Sequence, residues 1–278
     1  MKIITYTVPD SLYNARLERM ETDKANCDHV VAKALSLYLR HPTHTLFQVS
    51  TSAALVEGLY QGAVRVSRLL RHGNFGLGTF VDLDGETVVL EGVCYRVASD
   101  GVVTTVEGDR FIPYAVVTRF SAEFGKRSQQ LNDFSDLVAA CDGLHTSENV
   151  FYAFRVEGKF SFVKTRVMKA VPQGFGLKAA SSGQKEFTFE DQEGTLVGLW
   201  SPGFAGSFSV PGYHFHILSA DRKRGGHPLD WRTVNPTIGG CAIHEMHVSL
   251  PETMKFLKAD LSRDPGDELM SAERNHES

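Results

Sequence analysis

The sequence predicts an α+β fold, with two subdomains rich in mixed and antiparallel β-sheet and a cluster of histidines on a C-terminal β-hairpin. Three observations carry this expectation. Asp84-Gly85, Asp100-Gly101 and Gly108-Asp109 punctuate short apolar runs, the pattern of strands joined by tight turns. Helical spacing is confined to a few stretches, which together with the turns argues α+β. Gly212-Tyr213-His214-Phe215-His216 is followed by a charged turn and then Gly225-Gly226-His227, which reads as a strand, a turn and a returning strand. A length of 278 residues exceeds what one core usually covers. We therefore expect a variable segment at 1–44, a first mixed-sheet subdomain at 45–145 and a second, β-rich one at 146–278.

In chain order, Ala25–Arg40 is helix-like, with Val30, Val31, Ala34, Leu35, Leu37 and Leu39 along it and His41-Pro42 to stop it. Strand signals begin at Leu46. A helical interlude is expected over Ala53–His72, where Leu55, Leu59, Val66, Leu69 and Leu70 fall at mixed helical spacings. Phe75–Asp82 reads as a glycine-interrupted strand, Leu83–Glu86 as a hairpin turn and Thr87–Val97 as the return. Ser128–Gly143 is expected to be a helix bridging the two halves. Beyond it, Phe151–Val156, Phe160–Met168, Phe187–Phe189 and Gly194–Trp200 read as strands, with Gly183-Gln184-Lys185 in a polar loop. The charged stretch from Arg263 onward has the composition of a disordered tail.

Composition bounds the function classes. An apolar content of 42% with 22% charged residues is that of an ordinary soluble protein. A net charge of −4 creates no field for nucleic acid or an anionic membrane, so no such partner is expected. No apolar run approaches the ~18 residues of a membrane span, and Met1–Asp10 is too short in apolar run for a signal peptide. Cys27, Cys94, Cys141 and Cys241 form no C-x-x-C pair, which disfavours a sulfur-ligated zinc site or a redox motif. A reducing cytoplasm is the expected compartment.

The histidines are the strongest chemical signal. On a strand, His214 and His216 share one face while Phe215 takes the other. A hairpin would return His227 toward them. Single strand histidines are ordinarily satisfied polar residues, but three converging imidazoles suit a borderline-soft divalent cation at about 2.0–2.1 Å from each nitrogen. Three protein ligands with open positions describe a catalytic rather than a structural metal site. Elsewhere the signals are weaker. Gly73–Thr79 lacks the third glycine and the lysine of a phosphate loop, and its strand glycines point to close backbone approach. His244-Glu245-Met246-His247 is not H-E-x-x-H, and suits a surface or an edge. No G-x-S-x-G elbow occurs. Glu86 sits at a hairpin end, and Arg166 alternates with apolar neighbours, as an arginine held within a sheet to meet a carboxylate would.

The segments Leu46–Thr51, Leu59–Gly62, His72–Phe80, Leu83–Glu86 and Asn149–Arg155 stand in a recognisable order with Thr165-Arg166, Gly194–Gly198, Gly212–His216 and Asp221–His227. Together they resemble the alpha-acetolactate decarboxylase family over about residues 45 to 275. The resemblance implies a metal-dependent carboxy-lyase, using Zn2+ or another divalent transition metal, that converts 2-acetolactate to acetoin through a metal-stabilised enediolate. It implies His214, His216 and His227 as metal ligands, Thr79 and Glu86 as active-site polar residues, and Arg166 as the guanidinium facing the substrate. Glu273, in Leu269–Glu273, is implied as a C-terminal glutamate that folds back to the metal. A homodimer is expected, and no organic cofactor is needed.

Two stretches depart from the family pattern: residues 1–45, which match loosely, and Val171–Lys185, rich in glycine and alanine. Two rivals remain at this stage. A cupin-like dioxygenase or isomerase would place a glutamate about four residues after His-x-His, where this chain has Ala220 and Asp221. A non-catalytic ligand-binding homologue would keep the pocket without turnover.

Overall fold

The computed structural model describes residues 5–23, 27–39 and 44–273. The chain divides into two units, Met1–Thr43 and His44–Ser278.

The first unit holds helices α1 (Asp10–Asp23) and α2 (Cys27–Tyr38). Pro9 fixes the entry to α1, and its carbonyl accepts from the amides of Leu12 and Tyr13 at 3.0 Å each. Arg16 Nη1 donates to Cys27 Sγ at 2.7 Å and ties the two helices. Nothing in the sequence reading anticipated α1. Its apolar face amounts to Tyr13, Leu17 and Met20, too narrow a stripe to stand out among charges. Helix α2 lies within the helix expected over Ala25–Arg40, and the His41-Pro42 stop lies outside the described residues.

The second unit opens with β1 (Thr45–Val49), α3 (Ser52–Val56), β2 (Val64–Arg65), α4 (Val66–His72) and β3 (Phe75–Thr79). It continues with β4 (Glu86–Leu90), β5 (Val93–Val97), β6 (Val103–Thr105), β7 (Phe111–Ile112), β8 (Tyr114–Thr118), β9 (Phe124–Arg127) and β10 (Gln130–Leu131). Then come α5 (Phe134–Asp142), β11 (Phe151–Val167), α6 (Leu177–Ser181), β12 (Lys185–Ser201) and β13 (Gly212–Ser219). The last elements are β14 (Gly225–Ile243), β15 (Glu245–Ser249), α7 (Met254–Lys258) and α8 (Gly266–Glu273).

A seven-stranded sheet runs β15-β1-β8-β3-β4-β5-β6, antiparallel except where β15 lies parallel to β1. A second sheet runs β10-β14-β11-β12-β13, and β13 also meets the start of β14, closing a ring of four long strands. The period of two decides what each face buries. Val88 and Leu90 of β4 join Ala153, Val197 and Leu218 of the second sheet in one core between the sheets. Val89 faces the other way, with Val66 and Leu69 of α4. Tyr152, Phe154 and Trp231 fill the outer face of the second sheet, with Leu137 of α5. Trp231, Phe154 and Leu69 are fully buried, and each such side chain contributes about 1.5–3 kcal/mol.

Several elements differ in extent from the sequence reading. The interlude over Ala53–His72 is two short helices, α3 and α4, because Val64 leaves to pair with Ile112. The stretch Thr87–Val97 is two strands: Glu91 (φ 56°) and Gly92 (φ 79°) make a two-residue turn with both central residues left-handed, the geometry that matches strand twist. Helix α5 starts at Phe134, not Ser128, because Gln130-Leu131 pairs with β14 and Asp133 caps the helix by accepting from Asp136 N at 2.9 Å. The expected strand pairs 151–156/160–168 and 187–189/194–200 each fuse into one strand of 17 residues. The tail from Arg263 is not disordered through residue 273. Leu269 and Ala272, three positions apart on α8, are 0% and 2% exposed, so a short apolar face docks an otherwise charged segment.

Candidate active site

The cross-strand register gathers the histidines. On β13, His214 and His216 stand opposite Leu199 and Val197 of β12. On β14, His227 stands opposite Arg166 of β11, one residue beyond the Gly226–Ile217 contact with β13. His214 and His216 therefore share the inter-sheet face with Leu218, while Phe215 and Ile217 enter the outer core. One ligand-type atom from each imidazole lies within 4.8 Å of the others. The ring centroids are 5.1, 5.2 and 5.6 Å apart. All three residues are buried.

The other sheet supplies the facing wall. Thr79 and Glu86 are cross-strand partners at the end of the β3–β4 hairpin. They line one small cavity, of about 40 Å³, with the three histidines and Arg166. Gly78 lies beside Thr79. A Cβ there would come within 2.4 Å of Tyr114 O, and one at Gly76 within 2.0 Å of Val116 O. These glycines let β3 press against β8, as the strand reading expects.

Hydrogen bonds fix the polar groups. His216 Nδ1 donates to the Thr87 carbonyl at 2.8 Å, which leaves Nε2 as the lone-pair nitrogen. That Nε2 is 3.5 Å from Glu86 Oε2. Glu86 Oε1 accepts from Met168 N at 3.2 Å, and Thr79 Oγ1 donates to Gly85 O at 3.0 Å. Arg166 Nη1 donates to Gln184 Oε1 at 3.1 Å. Burial, and after it the Arg166 guanidinium, pushes the His214 pKa down to about 3. That ring is held neutral at ordinary pH.

This donor set fits a divalent cation. Bound imidazole must be neutral, and a ligand histidine ordinarily donates its other ring N–H to a carbonyl or carboxylate. His214 meets the first condition and His216 the second. Two acceptor atoms set 3.5 Å apart, His216 Nε2 and Glu86 Oε2, suit a shared cation or proton. Asp221 contributes no fourth ligand here. Its Oδ1 accepts from Ser219 Oγ at 2.6 Å and Lys223 N at 3.1 Å and so caps the turn. The cupin-like arrangement thus lacks its carboxylate.

Every proposed site residue except Glu273 is brought to this cavity. Glu273 ends α8, whose Ala272 lines the cavity; its own side chain lies outside those described. Sequence reasoning missed Gln184, which holds Arg166 from what was read as a plain polar loop. It also missed the apolar wall of Leu55, Leu83, Met168, Leu177 and Ala272. His244–His247 lies on or beside edge strand β15, the role its pattern suggested. Cys94 and Cys241 are buried thiols whose pKa burial pushes up to about 12, far from nucleophilic use.

Comparison with known proteins narrows the chemistry. The sequence pattern of the alpha-acetolactate decarboxylase family matches residues 46–263. The alpha-acetolactate decarboxylase of Methanosarcina mazei is 37% identical over 230 residues, 82% of this chain and 80% of its own. That of Lactococcus lactis subsp. cremoris is 35% identical over 217 residues, 78% of this chain and 92% of its own. The crystal structure of alpha-acetolactate decarboxylase from Bacillus subtilis superposes with a TM-score of 0.79 at 31% identity, covering 82% of this chain and 99% of that one.

Proposed function

The chain belongs to the alpha-acetolactate decarboxylase family, and we propose that it releases CO2 from 2-acetolactate to give acetoin at the three-histidine cavity. The observation that carries this is the convergence of three buried imidazoles with Glu86 and Arg166 on one cavity between the sheets. His214, His216 and His227 would hold one divalent cation. Three nitrogen ligands favour Zn2+ among the available ions. When bound, the cation would supply a Lewis acid to the ketone and hydroxyl oxygens of the substrate, worth several kcal/mol.

The residues of the chain do the rest. Arg166, buried and held by Gln184, presents a planar fork to the substrate carboxylate. The C1–C2 bond breaks, CO2 leaves, and the electron pair remains on the C2–C3 unit. One proton must then reach C2, so each turnover consumes a proton. Glu86, fixed by Met168 N on one side of the cavity, is the group that delivers it. Delivery from one side yields one enantiomer of acetoin. Thr79, tethered to Gly85 O, contributes a hydroxyl to the same wall. A homodimer is part of this proposal, with the exposed Phe204 and Phe208 as apolar surface for a partner copy to cover. A cytoplasmic setting, where the substrate acid would be made and used, is the other part.

The test is acetoin formation from racemic 2-acetolactate, before chelation, after it, and after divalent metal is restored. Turnover that chelation abolishes and metal restores is the expected result. No acetoin from metal-replete protein would overturn the reading.

A further inference from the structure

The cavity is lined by two kinds of side chain. One is polar: the histidines, Arg166, Glu86 and Thr79. The other is apolar: Leu55, Leu83, Met168, Leu177 and Ala272. A 2-hydroxy-3-oxo acid has the same division. Its carboxylate, hydroxyl and ketone oxygens need the polar kind, which leaves only its alkyl groups to meet the apolar one. Ala272 is the smallest of the apolar side chains and is 2% exposed. It comes from α8, which docks through Leu269 and packs beside α3 and α6. The family pattern ends at residue 263, before this helix begins. The apolar lining therefore receives its smallest member from a segment outside the matched region.

We propose that Ala272 sets the size of the alkyl groups accepted on the 2-hydroxy-3-oxo acid. The inference rests on the decarboxylase reading and deepens it. A side chain of one carbon leaves room in the cavity that valine would fill, and a close-packed site feels a single methylene. Discrimination by one methylene in an apolar pocket is worth about 10–200-fold in kcat/KM.

The test compares 2-acetolactate with two homologues, each one methylene longer, at the C2 alkyl group or at the acetyl end. For each, kcat/KM is measured in the parent, Ala272→Val and Ala272→Gly. Ala272→Val should lower kcat/KM for at least one longer homologue about tenfold or more beyond its effect on 2-acetolactate. Ala272→Gly should shift the same ratio the other way, by a few-fold. Calorimetric affinity for the unreactive acids in which the C3 ketone is reduced should follow the same order, a readout independent of turnover. Where Ala272→Val fails to fold, the glycine variant decides. Ratios unchanged in every folded variant would overturn the proposal. A parent inactive on all three acids would overturn the decarboxylase reading and this proposal with it, a result recognised before any substitution is made.

Discussion

His216 donates its Nδ1 proton to the carbonyl oxygen of Thr87, 2.8 Å away, so a strand of one sheet sets the tautomer of an imidazole on the other. The lone pair of Nε2 is thereby aimed at the cavity before any ligand arrives. Glu86, the residue preceding Thr87, points its carboxylate at that same nitrogen. In the proposed reaction, ligand orientation and proton delivery would both depend on adjacent positions of β4.

The protein should bind about one divalent metal per chain through His214, His216 and His227. His214→Ala or His227→Ala should remove most of the metal while far-ultraviolet dichroism stays native. Elemental analysis showing full occupancy in both variants would rule the assignment out.

Arg166→Lys should keep fold and metal but lose activity by about tenfold or more, because an ammonium cannot reproduce the planar two-pronged contact. Steady-state kinetics decides the point. A kcat/KM within about twofold of the parent removes Arg166 from the mechanism.

Acid stability of the metal-free protein should carry the mark of His214. Its folded pKa of about 3 lies below the ordinary 6.5. Above 6.5 neither folded nor unfolded chain protonates this ring, and nothing is lost. Between 6.5 and about 3 the unfolded chain binds a proton that the folded one refuses, so stability falls as pH falls, by up to about 1.4 kcal/mol per pH unit. Urea unfolding from about pH 7 to pH 4 should show a shallower acid slope in His214→Asn than in the parent. Equal slopes would show that the ring is not held neutral.

For the C-terminus, Glu273→Gln should lower kcat about tenfold or more without changing the melting temperature, since only charge is removed. Truncation after Asp267 should depress turnover as well, but it also strips the fully buried Leu269 from the core and so costs stability. Normal turnover in Glu273→Gln would remove Glu273 from the mechanism.

What the sequence made legible was local. His214 and His216 declare a shared face by their spacing, and the diglycine before His227 marks the return. Alternation of Arg166 with apolar neighbours signalled a guanidinium held in a sheet. The unread parts are of two kinds. Some are contributions of backbone, such as the Thr87 carbonyl and the Met168 amide, to which residue identity is indifferent. Others are contacts between distant segments, such as Gln184 with Arg166. Strands β11 and β12 were read as interrupted because their polar middle stretches, Glu157–Lys159 and Glu190–Glu193, are solvent-facing yet remain in the ladder. Helix α8 hid because two apolar residues suffice to dock it.

The parallel pairing of β15 with β1 joins Thr45 to Glu245, residues 200 apart in the chain. During synthesis this flank of β1 stays open until β15, 200 residues further along, has been made. Such distant closure slows folding and leaves an unsatisfied strand edge on the nascent chain. The histidine-bearing strands β13 and β14 directly precede β15 in the chain, so the site is assembled at about the time that edge is sealed.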